Sequence, residues 1–254
     1  MRISLYKKLL IFLFIVKCFI HITVTPASAA TIAGCPILPG DNIWNTPIDE
    51  LPLDSKSEDF INTIGPETSF HPDFGAPYWT GSRLSPIGIP INVVTASQPQ
   101  KQMHFDYAGE SDPGPYPIPD DPFIEGVLSG GNPDIDGDRH ILVVDSDNCI
   151  LYETFYSWPR NDGGWDAGSG AVFDLRSNNL RPDGWTSADA AGLPILPGLV
   201  RYDEVATGEI NHAIRFTARN SPIRKAYVWP ARHQANTSSS LLLPPMGQRF
   251  RLKA

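Results

Sequence analysis

Apolar positions along this chain come in short bursts separated by polar, Pro- and Gly-bearing stretches. The segment 88–95 (GIPINVVT) is rich in β-branched residues. Segments 140–145 (HILVVD) and 150–158 (ILYETFYSW) flank Ser146-Asp147-Asn148-Cys149, a turn rich in Asp and Asn. Two such runs around that turn predict a β-hairpin. Further strands are expected at 171–175, 199–202, 210–217, 226–229 and 249–252. Helical spacing is scarce. Ser57 is placed to cap a helix through Ile64, with Phe60, Ile61 and Ile64 on one face and Gly65 as its stop. Ser187 is placed to cap one turn through Ala191, ended by Gly192. The expected fold is mostly β: a single-domain antiparallel β-sandwich, jelly-roll-like, with one or two short helices. A closed barrel is the alternative.

The N-terminus follows a different rule. Arg2, Lys7 and Lys8 precede an apolar run from Leu9 to Val16, and Ala27-Ser28-Ala29 forms an A-x-A cleavage site. The run is too short for a membrane span, which needs roughly 20 apolar residues. Residues 1–29 are therefore expected to be a signal peptide and 30–254 a single β-rich domain, secreted or periplasmic. The first 29 residues carry four bases and no acid, so the remainder holds 16 bases against 28 acids, a formal charge near −12. That acid excess argues against nucleic acid and anionic lipid as partners, because both demand clustered Lys and Arg. Pro and Gly make up 45 of these 225 residues, against roughly 12% in average proteins, which leaves little room for long helices.

Two cysteines remain after cleavage, Cys35 and Cys149, and an even count in an oxidising compartment favours a disulfide. The competing reading is a lipobox, Ile32-Ala33-Gly34-Cys35, with lipid on Cys35. The polar stretch between the apolar run and this tetrapeptide weighs against it.

Familiar catalytic motifs are missing: there is no H-E-x-x-H, C-x-x-C, P-loop or G-x-S-x-G. Asp134, Asp136 and Asp138 at i, i+2 and i+4 resemble half of a calcium loop, but the bidentate Glu is absent. The expectation is a solvated acidic turn, with no metal or cofactor and calcium as the weaker alternative. More informative are ionisable residues on otherwise apolar strand faces. Glu153 interrupts Leu151 and Phe155, His212 interrupts Ile210 and Ile214, Asp174 shares a face with Val172, and His140 shares one with Leu142 and Val144. A charge in such a place must be paired or line a cleft. Glu153, Asp174, His212 and His140 are therefore the candidate catalytic residues, with at least two expected in one pocket.

Trp79, Trp165 and Trp185 lie among Gly, Asp and Ser, and a ring in a polar loop can stack on a sugar face. With Asp106 and Asp112 they form the candidate substrate-binding set. A glycoside hydrolase needs two carboxylates roughly 5–10 Å apart, and Glu153 with Asp174 is the first pair. A polysaccharide lyase would instead use His212 or His140 as base. The alternative class is a non-catalytic glycan-binding or cell-envelope interaction module. In every version the partner is a polysaccharide or envelope glycan.

Several stretches also resemble known sequences: Asn42-Ile43-Trp44-Asn45 after Cys35-Pro36, ESDPGPYPIP at 110–119, GDRH at 137–140, and DGWTSADAAGLPILPGLVRYDE at 183–204, with INHAIRF at 210–216 and WPARH at 229–233. Together they resemble a family of secreted bacterial proteins of uncharacterised function. The resemblance spans the chain after residue 29. It implies secretion and one domain, and brings no reaction, cofactor or catalytic residue.

Overall fold

The computed structural model describes residues 30–69, 71, 73–75, 78–80, 83–85, 88–126, 138–218 and 223–252. The expected signal peptide, Asp134 and Asp136 lie outside these residues.

The centre of the molecule is the hairpin that the Asp/Asn turn predicts. Strands β1 (Thr31–Ile32) and β2 (Cys35–Pro36) pair at the N-terminal end, followed by α1 (Ser57–Ile64) and the hairpin β3 (Tyr78–Thr80) with β4 (Arg83–Ser85). Then come β5 (Ile91–Val94), β6 (Met103–Phe105), β7 (Ile141–Asp145), β8 (Ile150–Phe155), β9 (Trp158–Pro159), β10 (Trp165–Ala167), β11 (Ser169–Asp174) and α2 (Tyr202–Thr207). The β7–β8 turn is closed by Asp145, whose Oδ1 accepts the N–H groups of Asp147 and Asn148 at 3.1 and 3.2 Å, the local bond that makes Asp a turn former. Cys149 ends the turn and is disulfide-bonded to Cys35 of β2, which ties the N-terminal hairpin onto the central one.

The main sheet runs in the order β11-β8-β7-β5, and a second sheet runs β6-β10-β9. Most pairings are antiparallel. Two are parallel, β5 with β7 and β6 with β10. Strand alternation sends Leu142, Val144, Leu151, Ala171 and Phe173 to one side of the main sheet, where Cys35, Ile195, Leu196 and Leu199 cover them. Ile141 and Val143 point the other way, into Tyr116, Ile118 and Trp165, with Met103, Phe105 and Tyr152 against them. The second sheet thus packs on the first as a sandwich, while the opposite face is covered by irregular chain. β7 is buried at every position, as a strand covered on both faces must be.

The helix through Ile64 forms as expected, Gly65 ending it at φ 100°, but Lys56 takes the capping position without a side-chain bond. Phe60 is buried, whereas Ile61 is exposed. The turn after Ser187 is not helical. Its hydroxyl accepts from Asp189 N–H at 3.0 Å and donates to Leu193 O at 2.6 Å, and Gly192 reverses the chain at φ 70°. Of the strands expected beyond Asp174, none forms. Segment 199–202 leads into α2, because Glu204 folds back to accept Arg201 N–H at 3.0 Å and Gly208 stops the helix in the left-handed region. Segment 210–217 makes one isolated bridge, Thr217 to His71, and its amides bond to carbonyls outside any strand: Ala213 to Trp44 at 2.7 Å and Arg215 to Gly198 at 3.0 Å. Segment 226–229 makes one isolated bridge, Tyr227 to Met246, and 249–252 makes no ladder.

Candidate functional site

Glu153 sits opposite Leu142 of β7 and Ala171 of β11, on the face covered by irregular chain. It has no exposed surface. Its carboxylate accepts Ile195 N–H at 3.0 and 2.8 Å and Leu196 N–H at 2.9 Å. Burial pushes it up to about 7, against the opposing pull of these amides, His140 and Arg215. Glu153 is therefore sealed from solvent and anchors a backbone turn.

His140 shares that face. Its Nδ1 lies 2.6 Å from Glu125 Oε2 and its Nε2 lies 3.1 Å from Ala188 O. Both neighbours are acceptors, so both ring nitrogens donate and the ring is an imidazolium. Burial opposes that charge, but the Glu125 bond and charge outweigh it and raise the imidazole above its ordinary value. Glu125 is correspondingly held below the usual carboxylate range: burial works against its charge, and the bonds to His140 prevail. Arg215 enters the same cluster, bonded to Asp73 and lying 3.6 Å from Asp189. Burial disfavours its guanidinium charge, and Asp189, Asp73, Glu153 and Glu125 outweigh that and raise it.

The structure thus brings His140 and Glu153 together and leaves the other two apart. Asp174 stands three positions along β11 from Ala171, so it projects from the face opposite Glu153. It is exposed, with Oδ1 accepting Arg176 N–H at 2.9 Å. Glu153 and Asp174 do not flank a common space, and the carboxylate pair of a hydrolase is not formed by them. His212 lies beside α2, 3.0 Å from Glu204 Oε1, with its Nδ1 2.8 Å from Ala213 O.

The binding set also divides. Trp165 is no loop residue: β10 places it in the second core, buried, with Asp166 outward and Ala167 inward. Trp79 lies in β3, and its side chain is outside the description. Asp106 is exposed in the turn after β6. Asp112 is structural, since it accepts Val172 N–H at 2.8 Å on the edge of β11 and pairs with Arg181. Asp138 is exposed, its carbonyl accepting Tyr156 N–H at 2.8 Å. Among the described residues no three His, Cys, Asp or Glu side chains are grouped to hold a metal ion.

Trp185 belongs to an open polar rim. It is half-buried, with the Arg181 guanidinium 5.5 Å from its ring centre. Next to it, Thr186 N–H donates to Glu110 Oε2 at 3.2 Å, and His233 Nε2 lies 3.6 Å from the same oxygen. His233 Nδ1 is 2.8 Å from Ala190 O, so it donates there and leaves Nε2 facing Glu110. Asp183 pairs with Arg232 at 3.1 Å, and Arg232 Nε donates to Arg181 O at 3.0 Å. The groove behind the rim, lined by Leu38, Trp44, Phe173 and Leu193, has a volume of about 30 Å³, room for water but not for a sugar ring. A concavity of about 380 Å³ near β9 and β10 is open and lined by Arg160, Asp162 and Asp166, whose charges are already paired with each other.

Arg181, Arg232 and His233 lie outside the candidate set, whereas Glu110 stands in the acidic, proline-rich segment 104–117, itself a candidate rim. Glu110, Arg232 and His233 stand in the motifs ESDPGPYPIP and WPARH, so the convergence of those motifs on 183–190 was the available signal. Glu125 and Asp73 carried no sequence signal. Comparison of the chain with family models, with curated proteins and with solved structures finds no match.

Proposed function

We propose that the protein is an exported, non-catalytic glycan-binding module, which recognises a polysaccharide or envelope glycan at the rim around Trp185. The observation that carries this reading is the placement of one aromatic ring among fixed polar groups. Arg181, Glu110, Asp183, Arg232 and His233 are each held by protein bonds, with Glu110, Asp183 and His233 still partly exposed. An indole face stacks on the apolar face of a sugar while such groups bond its hydroxyls. Export is supported by the disulfide, which persists in oxidising compartments, and by the residue pattern of 1–29. Among the described residues no helix is long and apolar enough to cross a membrane.

The first carboxylate pair of a hydrolase and the His140 base of a lyase find little support, and His212 is engaged by Glu204 and Ala213 O. Glu153 is sealed, Asp174 faces away, and both nitrogens of His140 are occupied. One observation favours catalysis, the half-open Glu110–His233 pair at 3.6 Å. A panel of soluble neutral glycans, tested by calorimetry and by release of reducing ends or unsaturated sugars, separates the classes. Binding without product supports the module. Product formation that disappears in His233→Gln replaces it with an enzyme, and no binding at millimolar glycan removes the ligand class.

A further inference from the structure

The chain from 183 to 196 carries the rim, yet it contains no strand or α-helix. Ionisable side chains hold it instead, at successive points. Glu110 accepts from Thr186 N–H, and His140 donates to Ala188 O at 3.1 Å. Arg215 faces the Asp189 carboxylate, and His233 Nδ1 meets Ala190 O at 2.8 Å. Glu153 takes the amides of Ile195 and Leu196. Five groups from four remote stretches thus clamp one strap of irregular backbone.

We infer that doubly protonated His140 holds this strap in the arrangement that presents Trp185, and that the strap loosens at Ala188 when the ring loses one proton. Which proton leaves follows from the partners. Nδ1–H faces the Glu125 carboxylate at 2.6 Å, a charge-assisted bond, and is kept. Nε2–H faces only a neutral carbonyl and is lost. A bare Nε2 lone pair then points at the Ala188 oxygen, and the contact turns from attraction to repulsion.

The surroundings decide the range in which this happens. Glu125 binds the ring directly, Asp138 precedes it in the chain, and Glu153 faces it from β8. Arg215 enters the cluster through Glu125 and Glu153 and is itself compensated by Asp73 and Asp189. Phe155 packs on the ring at 5.7 Å between centroids and keeps water away. The net field favours the imidazolium, so release falls above the ordinary histidine value of 6.5. The consequence for ligand affinity rests on the glycan reading of the rim, whereas the coupling of strap to His140 does not.

The test is NMR on the disulfide-bonded protein between pH 5 and pH 9, following histidine Cε1–H signals and backbone amides together, without ligand. The amides of Trp185, Thr186, Asp189 and Ala190 should titrate with the midpoint of His140, above 6.5. In Glu125→Gln both midpoints should fall together by about one pH unit or more, since a carboxylate in contact with the ring is removed. If that variant does not fold, the wild-type titration decides alone: the strap amides must share the midpoint of the His140 Cε1–H signal and of no other histidine. Strap amides that stay flat, or that follow another histidine, overturn the inference. Cellohexaose and laminarihexaose are then tested by calorimetry at pH 6 and pH 8.5, and whichever binds should bind several-fold more weakly at the higher pH. Titrating amides with no glycan binding at either pH would refute the rim as a glycan site and leave the strap coupling standing.

Discussion

Replacing Glu153 with Gln should flatten the dependence of stability on pH. The carboxyl stands at about 7 in the folded protein against an ordinary value of 4.5. A raised carboxyl means that the folded state holds its proton more tightly than the unfolded chain does. The associated stability is complete below 4.5 and is lost as pH rises through 7. At 1.36 kcal/mol per unit, the loss between pH 5.5 and pH 8.5 is about 2 kcal/mol. His140 adds to the same trend, because its raised value contributes stability below 6.5 that disappears as pH passes the folded midpoint. Glu125 is lowered, so its contribution is present above the ordinary carboxylate value and is lost only in acid. Wild type should therefore weaken from pH 5.5 to about pH 7 and on through the His140 midpoint, then level off. Glu153→Gln keeps one oxygen for the Ile195 and Leu196 amides but turns an NH₂ toward a donor, which costs about 1–3 kcal/mol at any pH. Its pH slope should shrink by about 2 kcal/mol over the same interval, leaving the His140 share. Urea unfolding followed by tryptophan fluorescence at pH 5.5, 7 and 8.5 measures both curves. Parallel curves for the two proteins would show that Glu153 is already ionised at pH 5.5, and the reasoning would fail.

Three further outcomes are expected. Reducing the Cys35–Cys149 bond, which spans 114 positions, should lower stability by roughly 2–5 kcal/mol. Comparing urea midpoints with and without reductant checks this, and two free thiols in the unreduced, denatured protein would contradict it. Trp165→Ala should cost about 3–5 kcal/mol by opening the second core, with the glycan affinity of the folded fraction unchanged; calorimetry on thermally profiled protein separates the two effects. Arg181→Ala should expose the edge of β11, since Asp112 loses the partner that fixes it over Val172 N–H. Hydrogen exchange at Val172 should rise by at least about tenfold, and an unchanged rate would exclude Asp112 as an edge cap.

What the sequence reveals and conceals follows from where each partner lies. The β7–β8 hairpin is legible because its alternation and its Asp/Asn turn are local. The disulfide is legible because only two cysteines follow residue 29. Trp165 misleads through its glycine-rich neighbours, although the inward-outward-inward order of Trp165, Asp166 and Ala167 is a strand period. Segment 199–202 has strand composition, and the helix that follows depends on Glu204 reaching back to Arg201. Segment 210–217 alternates like a strand but finds the carbonyls of Trp44 and Gly198 for partners, which no local pattern announces. Glu153 is conspicuous as an acid on an apolar face. Its partners are backbone amides 42 and 43 positions away, and nothing in its own segment tells an anchored carboxylate from a catalytic one. Asp174 shows the limit of reading strands singly: each face was legible, but the register that sets Asp174 and Glu153 on opposite sides belongs to the pair.

Whether Trp185 meets a glycan is reported directly by the six indole N–H signals of this chain. A soluble neutral oligosaccharide that binds by calorimetry is titrated into ¹⁵N-labelled protein, at low and at high salt. The Trp185 indole signal and the amides of Gly184, Thr186 and His233 should move together with one dissociation constant, little altered by salt, while the buried Trp165 signal stays in place. A bound glycan that shifts other indoles and leaves Trp185 and its neighbours unmoved contradicts the assignment of the site.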